Sequence, residues 1–204
     1  MKTLHVLAAS AAALLMVGHL IAGPVKPANK AVAYRLDVSK SQLHWTAKKI
    51  TGEHMGTLAF KEGGLTFNGN KLTGGQFTVD MTSLVNTDLT DKGYNDKLVG
   101  HLNSDDFFST AKHPTATFRI TKLTPTGPAT YQVTGDMTIK GITQATTFPA
   151  TVKQTATGVE ATGKLTLDRT KYDIKYGSKS FFEGLGDKAI YDDFDIDLKL
   201  VANR

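Results

Sequence analysis

The chain has 204 residues, of which 40 % are hydrophobic and 21 % are charged, a balance typical of a folded globular protein rather than a disordered one. Its formal net charge of +5 is spread along the sequence without a long basic run, which argues against nucleic-acid binding. The absence of cysteine excludes disulfides, thiolate metal sites and a cysteine nucleophile.

The amino-terminal segment has the pattern of a secretory signal peptide. Lys2 precedes an apolar run from Leu4 to Ala22, so we predict a signal peptide over residues 1–22. An uncleaved membrane anchor is the less favoured alternative, because the run is short and interrupted. We expect a disordered leader over residues 23–33 and one folded domain over residues 34–204. Export predicts a periplasmic location, with secretion as the alternative.

From Tyr34 to Val201 the dominant hydrophobic rhythm has a period of two, which predicts strands with one buried and one solvated face. Leu43, Trp45 and Ala47 alternate with polar residues, and the last segment alternates from Phe194 to Leu200. Turn residues recur at a spacing of about 8–12 residues, which is typical of an antiparallel sandwich or barrel. We count eight or nine candidate strands.

Two passages interrupt this rhythm. Between Thr90 and Leu102 a helix is predicted, with Tyr94, Leu98 and Leu102 on one apolar face. The turn that follows contains two adjacent aromatic residues, and we expect Phe107 to close one end of a barrel and Phe108 to line a cavity. The second passage, residues 171–187, is glycine-rich and predicts a long loop between the last two strands.

Catalytic and metal-ligating patterns are absent from the sequence. Its histidines show no HxH or HExxH spacing, and no GxSxG motif marks a nucleophile. The acidic residues Asp192, Asp193, Asp195 and Asp197 fall on the solvated side of the last predicted strand, where their expected roles are solubility and edge protection. The sequence therefore predicts a protein that is not an enzyme and that has no metal and no cofactor.

Several segments, in order, are similar to the YceI-like family of bacterial exported proteins, which are described as polyisoprenoid-binding and lipocalin-like. They cover nearly all of the chain after residue 33, and they are Tyr34–Asp37, Ser41–Trp45, His101–Phe108, His113–Phe118, Tyr131–Thr143 and Leu167–Asp173. The resemblance implies an all-β fold: a single antiparallel eight-stranded lipocalin-like barrel with a short helix near one end and an elongated apolar pore. It also implies a long isoprenoid or other amphipathic lipid as ligand, such as a quinone or a polyprenyl phosphate, and no catalytic residues.

A lipid in such a barrel would need apolar contacts for its tail and donors for its head group. For the tail we predict Trp45, Phe77, Phe108 and Phe118, and for the head group Lys48, Lys49, His54 and His101. Small strand residues could leave the pore open, and those named are Ala47, Ala59, Ala116 and Ala150. The same composition fits a filled core.

The alternative is a ligand-free module for envelope stress or protein interaction, acting through the loop that carries Phe181 and Phe182. Such a module would have a packed core, whereas a carrier would have a continuous apolar tunnel. The sequence also leaves a weak homodimer open.

Overall fold

The computed structural model describes residues 30–204; the predicted signal peptide and most of the predicted leader lie outside the described residues. The described chain forms one antiparallel sheet of nine strands and an α-helix. The strands are β1 (Ala31–Leu36), β2 (Gln42–Lys49), β3 (Gly52–Asn68), β4 (Lys71–Asn86), β5 (Thr115–Pro125), β6 (Thr130–Ile139), β7 (Ile142–Gln154), β8 (Gly158–Asp168) and β9 (Ile190–Asn203). Helix α1 (Lys92–Asn103) lies between β4 and β5.

The sheet closes on itself as a barrel. Each strand from β2 to β9 pairs with the next along the chain, and β9 pairs back with β2. Strand β1 pairs with the carboxy-terminal ends of β3 and β9. It therefore lies between these two strands in line with β2, which pairs with the rest of their length. The barrel therefore has eight strand positions, which confirms the predicted antiparallel eight-stranded fold with a short helix.

The break between β1 and β2 is held by the end of β9. The backbone N–H of Asp37 donates to the carbonyl of Val201 at 2.8 Å, and the N–H of Val201 donates to the hydroxyl of Ser41 at 3.0 Å. Because β1 begins at Ala31, the last three residues of the predicted leader belong to a strand instead of a disordered segment. They are ordered because they pair with Thr66–Asn68 of β3.

The two ends of the barrel differ. The helix end carries the β2–β3 and β6–β7 hairpins, the segment from β4 through α1 to β5, and the β8–β9 loop (residues 169–189). The hairpin end carries the β3–β4, β5–β6 and β7–β8 hairpins. At the β6–β7 turn Lys140 and Gly141 both have positive φ, 51° and 75°, as a tight two-residue hairpin requires.

Helix α1 begins after Asp91, whose side chain accepts a hydrogen bond from the N–H of Tyr94 at 2.9 Å. The predicted apolar face is partly wrong: Leu102 packs on the core together with Val99, but Tyr94 is 66 % exposed. The reason is that Asn95, one residue further on, faces the barrel and donates to the carbonyls of Asn86 and Leu89. Within residues 30–204, no helix is both long and apolar enough to cross a bilayer.

Candidate functional site

An apolar cavity of about 170 Å³ occupies the barrel interior. At the hairpin end its wall includes Leu65 and Leu72, and at the helix end it includes Phe107, Phe108 and Ile174. The volume is close to that of an engineered apolar cavity of about 150 Å³ that takes up benzene, and below the roughly 300–1,000 Å³ of drug-sized sites. The space therefore suits a single slim apolar chain.

The cavity is elongated along the strands. Residues of β9 from Ile190 to Leu200 contribute to its wall, in strict alternation from Phe194 onwards. Ten residues of strand span about 33 Å, and a barrel tilt of about 40° reduces this to roughly 25 Å along the axis. Among the small residues named from the sequence, Ala47, Ala116 and Ala150 line the cavity. Ala59 does not, because it lies on the exposed outer face of β3, between the inward-facing Leu58 and Phe60.

All four predicted tail residues lie on the cavity wall. Trp45, Phe77 and Phe118 come from β2, β4 and β5, and Phe108 comes from the segment that follows α1. Phe107 closes the helix end as expected, and it also faces the cavity. The structure thus brings the predicted aromatic set together, while contact of these residues with a lipid stays a prediction.

Aromatic rings of the wall lie over glycines of neighbouring strands. A Cβ atom placed on Gly56 would lie 2.6 Å from the Trp45 ring, and one on Gly63 would lie 2.6 Å from the Phe77 ring. Likewise, a Cβ atom on Gly135 would lie 2.4 Å from the Phe118 ring, and one on Gly163 would lie 3.1 Å from the Phe148 ring. Glycine lets each ring rest against the neighbouring strand, which leaves room in the centre of the barrel.

Phe148 was missed by the sequence reasoning, although it lines the cavity and its ring centroid lies 5.5 Å from that of Phe118. The signal that could have found it is the glycine in the middle of the next strand. Gly163 interrupts an otherwise regular strand pattern, and such a position often marks a close approach of another group.

The four predicted head-group residues lie at the helix end, but none of them lines the cavity. Lys48 and Lys49 are at the end of β2, and His101 is on α1 with its Nε2 atom 3.0 Å from an oxygen of Asp106. His54 is the best placed of the four, because it stands directly opposite Ala47, on the inward side that Trp45 shares. Contact with a head group stays a prediction.

His54 is already part of a polar network that attaches α1 to the barrel. Its Nδ1 atom lies 2.8 Å from Asp88, which also accepts from the N–H of Met55 at 2.8 Å and from the side chain of Asn86. Burial alone would raise the pKa of Asp88, but the hydrogen bonds from Met55, His54 and Asn86 together lower it below its usual range. Asp88 is therefore held as a carboxylate beside the imidazole.

A buried arginine was not foreseen at this end. Arg169 follows β8, lines the cavity, and has a side chain only 6 % exposed. Its guanidinium donates to the carbonyls of Tyr191, Ile174 and Ile190 at 2.8–3.1 Å and forms an ion pair with Asp192 at 3.3 Å. Burial lowers the pKa of Arg169, while the charges of Asp192 and Asp168 oppose that shift.

The pairing of Asp192 corrects the interpretation of the acidic face of β9. Asp192 is partly buried and also accepts from the hydroxyl of Ser180 at 2.6 Å, so it fastens the β8–β9 loop. Edge protection does not apply to any of these aspartates, because β9 is paired on both sides. Within residues 30–204, no three His, Cys, Asp or Glu side chains gather as a metal site requires.

A comparison with known protein families identifies the family to which this barrel belongs. The family model of the YceI-like domain matches residues 34–202. The chain belongs to the YceI-like family. The match covers the barrel from within β1 to near the end of β9, so the YceI-like domain and the folded domain coincide.

Curated relatives of this YceI-like chain match over shorter segments. A UPF0312 protein of Azotobacter vinelandii is 42 % identical over 50 residues, which are 24 % of this chain and 26 % of that protein. A UPF0312 protein of Shewanella denitrificans is 33 % identical over 89 residues, 44 % of each chain. The chain thus spans less than half the length of these relatives.

Solved structures support the YceI-like fold over a larger share of the chain. BcnA of Burkholderia cenocepacia is 29 % identical with a TM-score of 0.66, and the match covers 82 % of this chain and 99 % of that one. A polyisoprenoid binding domain from Saccharophagus degradans is 19 % identical with a TM-score of 0.60, covering 83 % of this chain and 97 % of that one. Because the Saccharophagus degradans domain is only 19 % identical, its similarity supports the fold alone.

Proposed function

We propose that this YceI-like protein binds a long amphipathic lipid, an isoprenoid or a similar chain, inside its barrel, and carries or sequesters it in the cell envelope without catalysis. The observation that carries the proposal is the elongated apolar cavity that runs between the two ends of the barrel. The Saccharophagus degradans domain, which shares the fold, is described as polyisoprenoid-binding, and this agrees with the proposal.

The driving force for binding is the removal of the lipid tail from water. Each buried methylene contributes about 0.8 kcal/mol, and the wall offers aromatic and aliphatic side chains along its whole length. The narrow space selects for a slim chain over a fused-ring molecule. A polar head group would remain at the helix end, where His54, Lys48, Lys49 and His101 lie.

The test is to extract purified protein with organic solvent and to identify the extracted molecules by mass spectrometry. We expect one class of long-chain amphiphile at close to one molecule per protein. Barrels that are empty after mild purification, and whose thermal stability does not respond to added prenyl lipids, would contradict the proposal.

A matched pair of variants controls for lipid that adheres to the surface. Ala116→Leu adds bulk to the cavity wall, whereas Ala59→Leu makes the same change on the outer face. We expect the first variant to lose most of the extracted lipid and the second to retain it. Equal lipid content in the two variants would show that the lipid is not held in the barrel.

A location in the periplasm is part of the proposal, and it depends on the predicted signal peptide over residues 1–22. Fractionation of cells that express the full chain tests it. We expect the protein in the periplasmic fraction, shortened at its amino terminus; recovery in the culture medium would favour the secreted alternative. An unshortened chain in the membrane fraction would favour the anchor.

The loop that carries Phe181 and Phe182 supports a second candidate function, the interaction with another envelope protein. Both rings are 49 % exposed, and the ammonium of Lys175 lies 5.1 Å from the centre of the Phe181 ring. Replacing both phenylalanines with serine separates the two functions. Loss of a captured partner with unchanged lipid content would assign the loop to protein interaction.

A further inference from the structure

The wall of the barrel has a gap between β7 and β8 at the helix end. The last paired residues of these two strands are Ala150 and Gly163. Both strands continue beyond this pair, but residues 142–149 of β7 pair only with β6, and residues 164–168 of β8 pair only with β9. The ladder between β7 and β8 therefore ends several residues before the strands do.

Pro149 favours the separation of the two strands at this point. Alternate residues of a strand direct their N–H groups to the same neighbour, and Val152 donates to the carbonyl of Ala129 on the β6 side at 2.7 Å. Position 149 therefore faces β8 with its backbone polar groups, and proline has no N–H to donate there. The first residue beyond the last pair cannot extend the ladder.

The gap is filled by residues 169–174, which follow β8 and which we call the seal. The 3₁₀ turn of the seal, Arg169–Tyr172, packs against both β7 and β9. Tyr172 is 1 % exposed, and its side chain lies beside that of Thr146 on β7. At the helix end, the wall between β7 and β8 is thus made by an aromatic side chain of the seal instead of by a strand ladder.

The cavity lies directly behind the seal. Ile174, the last residue of the seal, is 1 % exposed and lines the cavity. Phe148 on the β7 side of the gap lines it as well, together with Leu165 and Leu167 on the β8 side. Displacement of the seal would therefore open the cavity sideways at the helix end. A lipid tail could pass through this opening while its head group stays outside, at the same end of the barrel.

The seal is attached more firmly to β9 than to β7. The buried guanidinium of Arg169 donates to two backbone carbonyls at the start of β9. On the β7 side, the side chain of Gln144 donates to the carbonyl of Lys171 at 3.1 Å, and the ammonium of Lys140 donates to the carbonyl of Asp173 at 3.3 Å. Both of these bonds are exposed, and exposed hydrogen bonds exchange readily with water. The seal can therefore move away from β7 while it stays attached to β9.

Strands β4 and β5 also separate, but they do so at the hairpin end, beyond the pair of Gln76 and Arg119. That gap is closed by the strands themselves, because a Cβ atom on Gly75 of β4 would lie 3.2 Å from the side chain of Ile120 of β5. An opening there would require the strands to part. The opening between β7 and β8 requires only that the seal moves.

We infer that the gap between β7 and β8 is the entrance through which a lipid tail reaches the cavity, and that the seal opens and closes this entrance. The inference rests on the proposed function and adds the route to the same site. The seal then sets how fast a lipid is exchanged, whereas the wall of the cavity sets how tightly the lipid is bound.

Two engineered cysteine pairs test this route in the purified, delipidated protein, because the chain has no cysteine of its own. Gln144→Cys with Lys171→Cys spans the gap, and a short, reducible bis-methanethiosulfonate crosslinker holds the seal against β7. Thr134→Cys with Thr147→Cys is the matched control. It joins β7 to β6 with the same reagent, at a paired position where the two hydroxyls lie 2.9 Å apart.

The uptake of farnesol is followed by stopped-flow fluorescence of Trp45, which is the single tryptophan of the chain and lines the cavity. We expect the crosslink across the gap to slow uptake by about tenfold or more, and a reductant to restore the original rate. The control crosslink should leave the rate unchanged. Gln144→Ala removes one hydrogen bond of the seal, so it should speed uptake and release by the same factor and leave the Kd as it is.

Uptake at the same rate with and without the crosslink across the gap would overturn the inference and leave the proposed function standing, because the lipid would still reach the barrel. Equal slowing by the control crosslink would also overturn it, since the stiffness of the barrel and not the gap would then limit entry. Failure of the uncrosslinked protein to take up farnesol would overturn the inference and the proposed function together.

Discussion

Arg169 fastens the helix end of the barrel through contacts that no other residue type can reproduce. Its planar guanidinium reaches the carbonyl of Ile174 on one side and those of Ile190 and Tyr191 on the other. The first belongs to the β8–β9 loop, and the others belong to the start of β9. One buried side chain therefore ties the loop to the strand that follows it.

The variant Arg169→Met should lower the free energy of unfolding by about 3 kcal/mol, because three carbonyls lose their donor and Asp192 loses its charge partner. Urea unfolding followed by circular dichroism measures this. Asp192→Asn is the control: it removes the ion pair but leaves the carbonyl contacts, so its loss should be clearly smaller. Equal losses in the two variants would show that the ion pair, and not the carbonyl contacts, dominates.

Asp37 stabilises the break between β1 and β2 through its ionised form. Hydrogen bonds from Ser39 and then from Lys40 lower the pKa of Asp37 to about 2, against an ordinary value of 3.8. A carboxyl whose pKa is lower in the folded chain than in the unfolded chain stabilises the fold above the unfolded value. That contribution is lost as the pH falls from about 4 towards 2.

We therefore expect the stability difference between the protein and an Asp37→Asn variant to be largest near neutral pH and to shrink between about pH 4 and pH 2. Urea unfolding at a series of pH values gives this difference directly. The variant Ser39→Ala removes the hydrogen bond from the Ser39 hydroxyl to the same carboxylate, keeps the one from the Ser39 backbone N–H, and should reproduce part of the effect. A difference that is independent of pH would mean that the ionised form of Asp37 has no special role.

At the scale of the strands, the glycines beneath the aromatic rings differ in how much they tolerate. A Cβ on Gly163 would lie 3.1 Å from the Phe148 ring, so a small shift of that ring suffices. A Cβ on Gly135 would overlap the Phe118 ring and would lie 2.5 Å from the carbonyl oxygen of Arg119, which cannot move without breaking the β5–β6 ladder. We therefore expect alanine to be tolerated better at position 163 than at position 135.

Gly163→Ala should change the free energy of unfolding by less than about 1 kcal/mol, since the entropy lost by the unfolded chain offsets the tighter contact. It should also push Phe148 towards the centre of the barrel and weaken the uptake of a lipid tail. Gly135→Ala should cost about 2 kcal/mol through overpacking. Thermal unfolding ranks the two variants, and a Gly135→Ala variant as stable as the wild type would contradict the close packing of Phe118.

The strand pattern was predictable because a period of two assigns each side chain to a face. It correctly placed Trp45, Phe77 and Phe118 on the wall. It excludes Ala59, which was named as a small inward residue, because Leu58 and Phe60 on either side of it face the cavity. A register shift after Phe60 then changes the parity, so that Leu65 faces inward. The burial of Arg169 could not be predicted from the sequence either, because its hydrogen-bond partners are backbone carbonyls that only the folded loop brings together. Register shifts and loop contacts leave no periodic signal.

At the scale of the whole molecule, the barrel must be stable without disulfides while its centre is hollow. The hairpin end supplies part of that stability, since Phe67, Leu72, Val159 and Ala202 are each at most 2 % exposed. Leu72 of this layer also forms part of the cavity wall, so the layer closes the cavity at the hairpin end. A ligand that fills it adds contacts that the empty barrel lacks, so binding should stabilise the entire fold.

This coupling predicts a dependence on chain length in a series of prenyl alcohols with two, three and four isoprene units. Each added unit buries more apolar surface while it remains inside the barrel, so the midpoint of thermal unfolding should rise along the series at a fixed concentration. The rise should stop once the chain is longer than the cavity, because further units stay in water. Differential scanning fluorimetry with an external dye suffices to locate that plateau.

The position of the plateau distinguishes a true interior site from adsorption to the surface. Ala116→Leu shortens the space inside the barrel, so its plateau should come at a shorter alcohol, whereas the plateau of Ala59→Leu should match that of the wild type. Adsorption to the exposed phenylalanines of the β8–β9 loop would instead strengthen steadily with hydrophobicity and respond to neither alanine. A series without a plateau in any of the three proteins would therefore place the lipid outside the barrel, however strongly it bound.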